Sequence, residues 1–149
     1  MSQKSVQVLL IDDDPADIRL IQECFKRSSM AIDLHVEDGE KAVEYLRKRA
    51  EVPSGAYPDL ILLDLNMPKK DGRQLLSELK MDKDLKRIPV VVLTTSDAET
   101  DIIKSYNLGA NCYITKPVDF DQFSRIVDLI TEFWLKTVKL PSSAVENFY

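Results

Sequence analysis

The chain has 149 residues, of which 44% are hydrophobic and 30% charged, and it contains only 4 glycines and 7 prolines. This is the composition of one globular domain with a single core, and it excludes collagen-like, low-complexity and intrinsically disordered proteins. The net charge of −5 repels nucleic-acid phosphates, so we expect no binding to nucleic acid. No apolar run approaches the roughly 20 residues of a membrane span, and the polar start lacks the features of a signal peptide. We therefore expect a cytoplasmic protein that does not bind membranes.

Short apolar runs alternate with segments of helical periodicity along the chain. The runs predict strands over residues 6–11, 32–36, 60–63, 90–93 and 112–114. The segments that follow them predict helices over residues 16–26, 39–48, 72–80, 100–108 and 120–137. Runs such as LILL and VVVL lack polar alternation, which is typical of parallel strands covered by helices on both faces. The sequence therefore predicts an α/β fold, a doubly wound five-stranded parallel sheet with five helices.

The C-terminal part extends beyond this pattern. We predict one domain over residues 4–138, with an extended last helix, and a short C-terminal tail over residues 139–149. A helix over residues 119–137 would be roughly 28 Å long, which is more than a typical sheet needs for cover. Its end carries the apolar residues Phe133, Trp134, Val138 and Leu140. This surface either folds onto its own domain or forms a symmetric contact in a homodimer, and we favour the dimer.

Polar residues follow four of the five predicted strands. The residues that we single out are Asp12 and Asp13 after the first strand, Asp64 after the third, Thr94 at the end of the fourth, and Lys116 after the fifth. Because parallel strands end at one edge of a sheet, where open α/β sheets bind their ligands, we expect these side chains to lie close together.

Three carboxylates at neighbouring strand ends repel one another unless a cation neutralises them. Asp12, Asp13 and Asp64, together with the main-chain carbonyl of Asn66, offer the oxygen ligands that Mg²⁺ prefers. A carboxylate flanked by Mg²⁺, an ammonium and a hydroxyl is suited to phosphoryl transfer, because each of these groups offsets charge on the phosphoryl oxygens. We therefore predict a magnesium site with Asp64 as the nucleophile.

Four motifs together resemble the receiver domains of two-component response regulators, the CheY-like family. They are IDDDP at residues 11–15, DLNMPKKDG at 64–72, VLTTS at 92–96 and YITKP at 113–117. Thr94 stands 30 positions after Asp64 and Lys116 stands 22 positions after Thr94, and the joint spacing makes the resemblance far more specific than any single motif. It covers roughly residues 6–137 and implies a flavodoxin-like three-layer sandwich.

The resemblance implies a role for each matching residue at the site. Asp64 would be phosphorylated in the presence of Mg²⁺ held by Asp12 and Asp13, and Lys116 would contact the phosphoryl group. Family members usually have a cis peptide bond before the proline of the last motif. The resemblance therefore also implies a cis bond between Lys116 and Pro117.

Two further residues match the switch of the family. The hydroxyl of Thr94 would move to the phosphoryl group, and the ring of Tyr113 would turn inward to fill the space that it leaves. Phosphorylation would thereby shift a two-state equilibrium that controls protein contacts. The protein would be a phosphoacceptor and not an enzyme, with Mg²⁺-dependent self-phosphorylation and self-dephosphorylation as its only chemistry.

The segments RIPVVVLTTS, NCYITKP and FWLKTVKLP resemble the small receivers that act with cyanobacterial and bacterial phytochromes. This resemblance implies a sensor histidine kinase, of the phytochrome type, as the donor of the phosphoryl group. Because the resemblance assigns no chromophore site to this chain, light would be sensed by the partner. The kinase would dock on the start of the first helix, near Ala16, Ile18 and Arg19, and on the loop after Pro117.

Two other functions are weighed against this one. A phosphatase of the haloacid-dehalogenase type also forms an aspartyl phosphate, but it needs a second aspartate two positions after the nucleophile, where this chain has Asn66. An inert, receiver-like structural module is the other alternative. The complete set of Asp12, Asp13, Asp64, Thr94 and Lys116 argues against it.

Overall fold

A single parallel sheet lies at the centre of the molecule, whose computed structural model describes residues 5–52 and 57–141. The strands are β1 (Val6–Ile11), β2 (Ile32–Glu37), β3 (Leu60–Leu63), β4 (Val90–Thr94) and β5 (Cys112–Thr115). The helices are α1 (Pro15–Arg27), α2 (Ala42–Ala50), α3 (Gly72–Met81), α4 (Glu99–Asn107) and α5 (Phe120–Ile130). The strand order is β2-β1-β3-β4-β5. The predicted doubly wound α/β fold is confirmed.

The register of the strands brings their C-terminal ends side by side. Leu63, the last residue of β3, lies beside Ile11, the last residue of β1. Thr94 at the end of β4 lies beside Thr115 at the end of β5. The residues that follow β1, β3 and β5 therefore share one edge of the sheet with the end of β4, as predicted.

Two hydrophobic cores cover the two faces of the sheet. Consecutive strand residues point to opposite faces, so Leu9 and Ile11 belong to the core under α2 and α3, whereas Val8 and Leu10 belong to the core under α1 and α5. All four side chains of β3 are buried. Burial on both faces explains the uninterrupted apolar runs in the sequence.

The last helix continues beyond α5 in a wider form. A π-helical segment spans Thr131–Thr137, so the predicted helix over residues 120–137 is present but changes its pitch. The hydroxyl of Thr131, which is buried, donates to the carbonyl of Val127 at 3.0 Å. The backbone N–H of Val138 donates to the carbonyl of Phe133 at 3.0 Å, five residues back.

Much of the apolar surface at the end of this helix folds onto its own domain. Leu135 and Leu140 are buried in the core under α1 and α5, and Trp134 and Val138 are half-buried against it. Phe133 stays 53% exposed. Most of these apolar residues are therefore covered by their own domain, which is the alternative to the predicted dimer contact.

The boundaries of the predicted domain are partly outside the described residues. Residue 4 and residues 142–149 of the predicted tail lie there. Among the described residues, Leu140 is buried in the core, so the chain remains attached to the domain beyond residue 138. No helix in these ranges is long and apolar enough to cross a membrane.

The start of α2 differs from the prediction over residues 39–48. The helix begins at Ala42, because the preceding residues form a turn in which the N–H of Lys41 bonds to the carbonyl of Asp38 at 3.3 Å and to its carboxylate at 3.0 Å. Aspartate favours such local bonds to the backbone over helix continuation.

Candidate functional site

Three carboxylates converge at the shared edge of the sheet. One ligand oxygen from each of Asp12, Asp13 and Asp64 lies within 4.8 Å of the others. Asp12 and Asp64 are buried, whereas Asp13 is exposed. A set of oxygen ligands that is open to solvent on one side suits a hard divalent cation that keeps several water ligands. The structure thus brings together the three carboxylates predicted as metal ligands.

The loop from β1 to α1 fixes two of its aspartates in different roles. Asp14 caps α1, since its carboxylate accepts hydrogen bonds from the N–H groups of Ala16 at 2.9 Å and Asp17 at 3.5 Å. The N–H of Asp14 in turn donates to the carboxylate of Asp12 at 2.9 Å. The backbone of this loop, and not the carboxylate of Asp14, therefore holds Asp12 toward the site.

The loop from β3 to α3 positions Asp64. Its N–H donates to the carbonyl of Ile11 at 3.0 Å, which ties the end of β3 to β1. The N–H of Asn66 donates to the carboxylate of Asp64 at 3.2 Å. The N–H of Gly72 donates to the carbonyl of Leu65 at 3.1 Å and brings the start of α3 back against this loop.

Lys116 lies at the centre of the carboxylates and is buried. Its Nζ is 2.8 Å from Asp17 Oδ2, 2.9 Å from Asp12 Oδ2 and 3.5 Å from Asp64 Oδ2. Burial by itself would lower the pKa of the ammonium, but these carboxylates outweigh it and raise the pKa above its usual value. Lys116 is therefore positively charged at neutral pH.

Burial has the opposite effect on the neighbouring acid. It raises the pKa of Asp12, and the attraction of Lys116 only partly opposes this shift. A buried carboxylate beside other carboxylates is costly to ionise, so it gains more than an exposed one from a bound cation.

Asp17 is a contact of Lys116 that the sequence analysis missed. It lies in the first turn of α1, where acidic residues are usually explained by the helix dipole. The sequence does contain a pattern that indicates the orientation of Asp17. It precedes the buried residues Leu20 and Ile21 by three and four positions and so shares their face of the helix.

The predicted cis bond between Lys116 and Pro117 is wrong for this structure, in which no cis peptide occurs among the described residues. The trans form of such a bond is intrinsically favoured by about 0.5–1 kcal/mol. The contacts of Lys116 with Asp12 and Asp17 are made with the trans bond.

The two predicted switch residues lie on adjacent strands. The hydroxyl of Thr94 accepts a hydrogen bond from the side-chain amide of Asn66 at 3.2 Å, and Thr94 is fully buried. The hydroxyl of Tyr113, on a half-buried ring, donates to the carbonyl of Ser96 at 2.8 Å. Burial raises the pKa of Tyr113, which keeps its hydroxyl a neutral donor.

An ion-paired network that the sequence did not predict joins these loops. Nε of Arg73 donates to Asp101 at 2.7 Å, and another guanidinium nitrogen donates to Asp71 at 2.9 Å. The second oxygen of Asp101 accepts the hydroxyl of Ser96 at 2.6 Å. The hydrogen bonds from Arg73 and Ser96 lower the pKa of Asp101 to about 2. The network connects the start of α3 to Ser96, whose carbonyl holds Tyr113.

Similarity to a protein family, to a known protein and to solved structures points to the same family. Residues 8–128 match the response regulator receiver domain family. Response regulator Rcp1 of Synechocystis sp. is 49% identical over 137 residues, which are 91% of this chain and 93% of Rcp1.

Two solved structures are also close. The phosphorylated cyanobacterial phytochrome response regulator RcpA aligns with a TM-score of 0.86 at 51% identity, over 93% of this chain and 99% of RcpA. The Mn²⁺-bound form of Rcp1 aligns with a TM-score of 0.84 at 49% identity, over 91% of this chain and 99% of Rcp1. The sheet, the acidic cluster with its lysine and these similarities together place the chain in the response regulator receiver domain family.

Proposed function

We propose that this protein is the phosphoacceptor of a two-component phosphorelay and that Asp64 receives the phosphoryl group from a phosphohistidine of a sensor kinase. The observation that carries the proposal is the convergence of Asp12, Asp13 and Lys116 around the carboxylate of Asp64. In the transfer, an oxygen of Asp64 forms a bond to phosphorus, and the bond from phosphorus to the histidine nitrogen breaks with its electron pair staying on that nitrogen. The ring, protonated on its other nitrogen, then leaves as neutral imidazole.

The residues around Asp64 fit a bound Mg²⁺. Asp12, Asp13 and Asp64 would hold it, with the main-chain carbonyl of Asn66 as a further ligand, and the ion would neutralise charge on the phosphoryl oxygens. The Mn²⁺-bound form of Rcp1 supports a divalent cation in a similar fold. The chain's own contribution is the ammonium of Lys116, which lies close enough to Asp64 to bond to a phosphoryl oxygen.

The proposed donor is a phytochrome-type sensor kinase in the cytoplasm, where the ATP that supplies kinases is found. The printed name of RcpA, a phytochrome response regulator, supports this partner class. Val118, in the predicted docking loop after Pro117, is fully exposed, and Phe120 at the start of α5 is 64% exposed. These residues give a kinase an apolar contact next to the phosphoacceptor.

Phosphorylation would act through Thr94 and Tyr113. A phosphoryl group on Asp64 offers the Thr94 hydroxyl a charged acceptor, whereas in its contact with Asn66 the hydroxyl is itself the acceptor of an amide N–H. Movement of Thr94 would alter the loop that holds Tyr113 through Ser96. The protein would change its contacts with partners without turning over a substrate.

We also propose that the protein forms a homodimer through the end of its last helix. Leu129 and Phe133 are 59% and 53% exposed and lie four residues apart, so they form one exposed apolar stripe that the domain itself does not cover. The Phe133→Ser variant should therefore sediment as a monomer at concentrations where the wild type is dimeric. A wild type that is monomeric throughout, or a variant that remains dimeric, would contradict this contact.

The Asp64→Asn variant tests the main proposal. With Mg²⁺ and acetyl phosphate, the wild type should gain the mass of one phosphoryl group, and Asp64→Asn should gain none, because the amide cannot form an acyl phosphate. The matched control is Asp14→Asn, which keeps a good helix cap and should be labelled like the wild type.

The outcomes separate the alternatives. Continuous release of phosphate from small esters would identify a phosphatase. Absence of any label on the wild type, both from acetyl phosphate and from phosphorylated kinases, would identify an inert module.

A further inference from the structure

We propose that Asp17 holds the ammonium of Lys116 in the unphosphorylated protein and competes for it with the phosphoryl group on Asp64. Asp17 would thus limit how tightly the site retains a phosphoryl group. The inference rests on the proposed function, because it concerns the same site, and it assigns a positioning role to a residue outside the family's motifs.

The distances at Lys116 support this role. Its ammonium is within hydrogen-bond distance of Asp17 at 2.8 Å and Asp12 at 2.9 Å, but it is 3.5 Å from Asp64. An ammonium has three N–H donors, and two of them are used by carboxylates other than the phosphoacceptor. One donor remains, so Lys116 can make a second bond to a phosphoryl group only by releasing or sharing a donor that now bonds to Asp12 or Asp17.

Asp17 differs from the other two carboxylates in its surroundings. It is not one of the three residues whose oxygens converge as metal ligands. A cation that binds Asp12 and Asp64 competes with Lys116 for these two carboxylates, whereas the carboxylate of Asp17 stays available to the ammonium. Its side chain is 22% exposed, against 1% for Asp12, so water reaches part of its carboxylate.

Charge determines the direction of the effect. Phosphorylation adds negative charge at Asp64, and an anionic Asp17 both repels that charge and offers Lys116 a rival partner. Asparagine at position 17 has nearly the same shape but no charge, so its amide oxygen lacks the attraction between opposite charges that the carboxylate has for the ammonium. The Asp17→Asn substitution therefore releases Lys116 toward the phosphoryl group.

The experiment uses beryllofluoride, a stable mimic of a carboxylate-bound phosphoryl group, titrated into the full chain at saturating Mg²⁺ and followed by fluorine NMR. We expect Asp17→Asn to bind it about two- to fivefold more tightly than the wild type, the range for one lost charge contact that is partly exposed. The matched control is Asp14→Asn, which removes a charge three residues away, without a contact to Lys116, and should change the affinity by less than about twofold.

A second comparison tests whether the effect passes through the lysine. In a Lys116→Met background, whose own affinity is lower, adding Asp17→Asn should raise the affinity by less than about twofold, because only the solvent-screened repulsion by Asp17 is then removed. A gain in affinity is also a result that mere loss of structure does not produce.

Four outcomes would overturn the inference. They are equal or weaker binding by Asp17→Asn, an equal gain in Asp14→Asn, a gain of the same size in the Lys116→Met background, and a wild type that binds no beryllofluoride. The last outcome would overturn the proposed function as well, whereas the first three would leave it standing.

Discussion

The Gly72→Ala variant is expected to lose about 3 kcal/mol of unfolding free energy and most of its capacity to accept a phosphoryl group. A Cβ at this position would overlap the carbonyl oxygen of Asp64 and lie 2.5 Å from the Cα of Leu65. These are backbone atoms beside the phosphoacceptor, so the clash cannot be relieved by a side-chain rotation. The cost exceeds the roughly 1 kcal/mol that alanine contributes in helix propensity at the start of α3.

The matched control for this substitution is Gly39→Ala. Gly39 is also buried, but the closest atom to an added Cβ is the terminal methyl of Met67 at 2.9 Å, which can move. Denaturant unfolding and phosphorylation by acetyl phosphate should therefore show a much smaller loss for Gly39→Ala. Equal losses in the two variants, or wild-type labelling of Gly72→Ala, would contradict the close approach of α3 to the phosphoacceptor loop.

The Asp13→Asn variant is expected to be more stable than the wild type when divalent cations are removed by EDTA. Asp13 contributes one of three carboxylate oxygens within 4.8 Å of one another, so neutralising it relieves like-charge repulsion. Because Asp13 is exposed, solvent screens the repulsion, and the expected gain is about 1 kcal/mol. Without a divalent cation, the repulsion among the three carboxylates is thus expected to lower the free energy of unfolding.

Saturating Mg²⁺ should reverse this order. The wild type gains stability by binding the ion only in its folded form, whereas Asp13→Asn has lost a ligand and gains less. Thermal unfolding with EDTA and with increasing Mg²⁺ measures both effects, with Asp14→Asn as the exposed-aspartate control. A variant that is less stable in EDTA, or one that Mg²⁺ stabilises as much as the wild type, would argue against the metal site.

The sheet and the position of the acidic cluster could be predicted from the sequence because both follow from the strands. Uninterrupted apolar runs such as the four residues of β3 indicate strands buried on both faces, and these strands are buried. Once the sheet is parallel, chain order alone places Asp12 and Asp64 at one edge. Their proximity needed no information on helix orientation.

The remaining features depend on packing between helices and loops, which local pattern does not specify. Whether Asp17 faces the site depends on the rotation of α1 about its axis, and the pairing of Arg73 with Asp101 depends on how α3 lies beside α4. The burial of apolar residues after α5 could not be predicted from an α-helical pattern. The segment changes to π-helical pitch, which turns side chains such as Leu135 toward the core.

The central claim is that Asp64 accepts a phosphoryl group from a histidine kinase, and phosphotransfer measures it most directly. A phytochrome-type kinase labelled on its histidine is mixed with the protein in Mg²⁺, and the label on each chain is followed over time. We predict that the label moves to the wild type, that it is released by hydroxylamine as expected for an acyl phosphate, and that Asp64→Asn receives none. Label that remains on a kinase able to phosphorylate another receiver, or label that moves equally to Asp64→Asn, would contradict the claim.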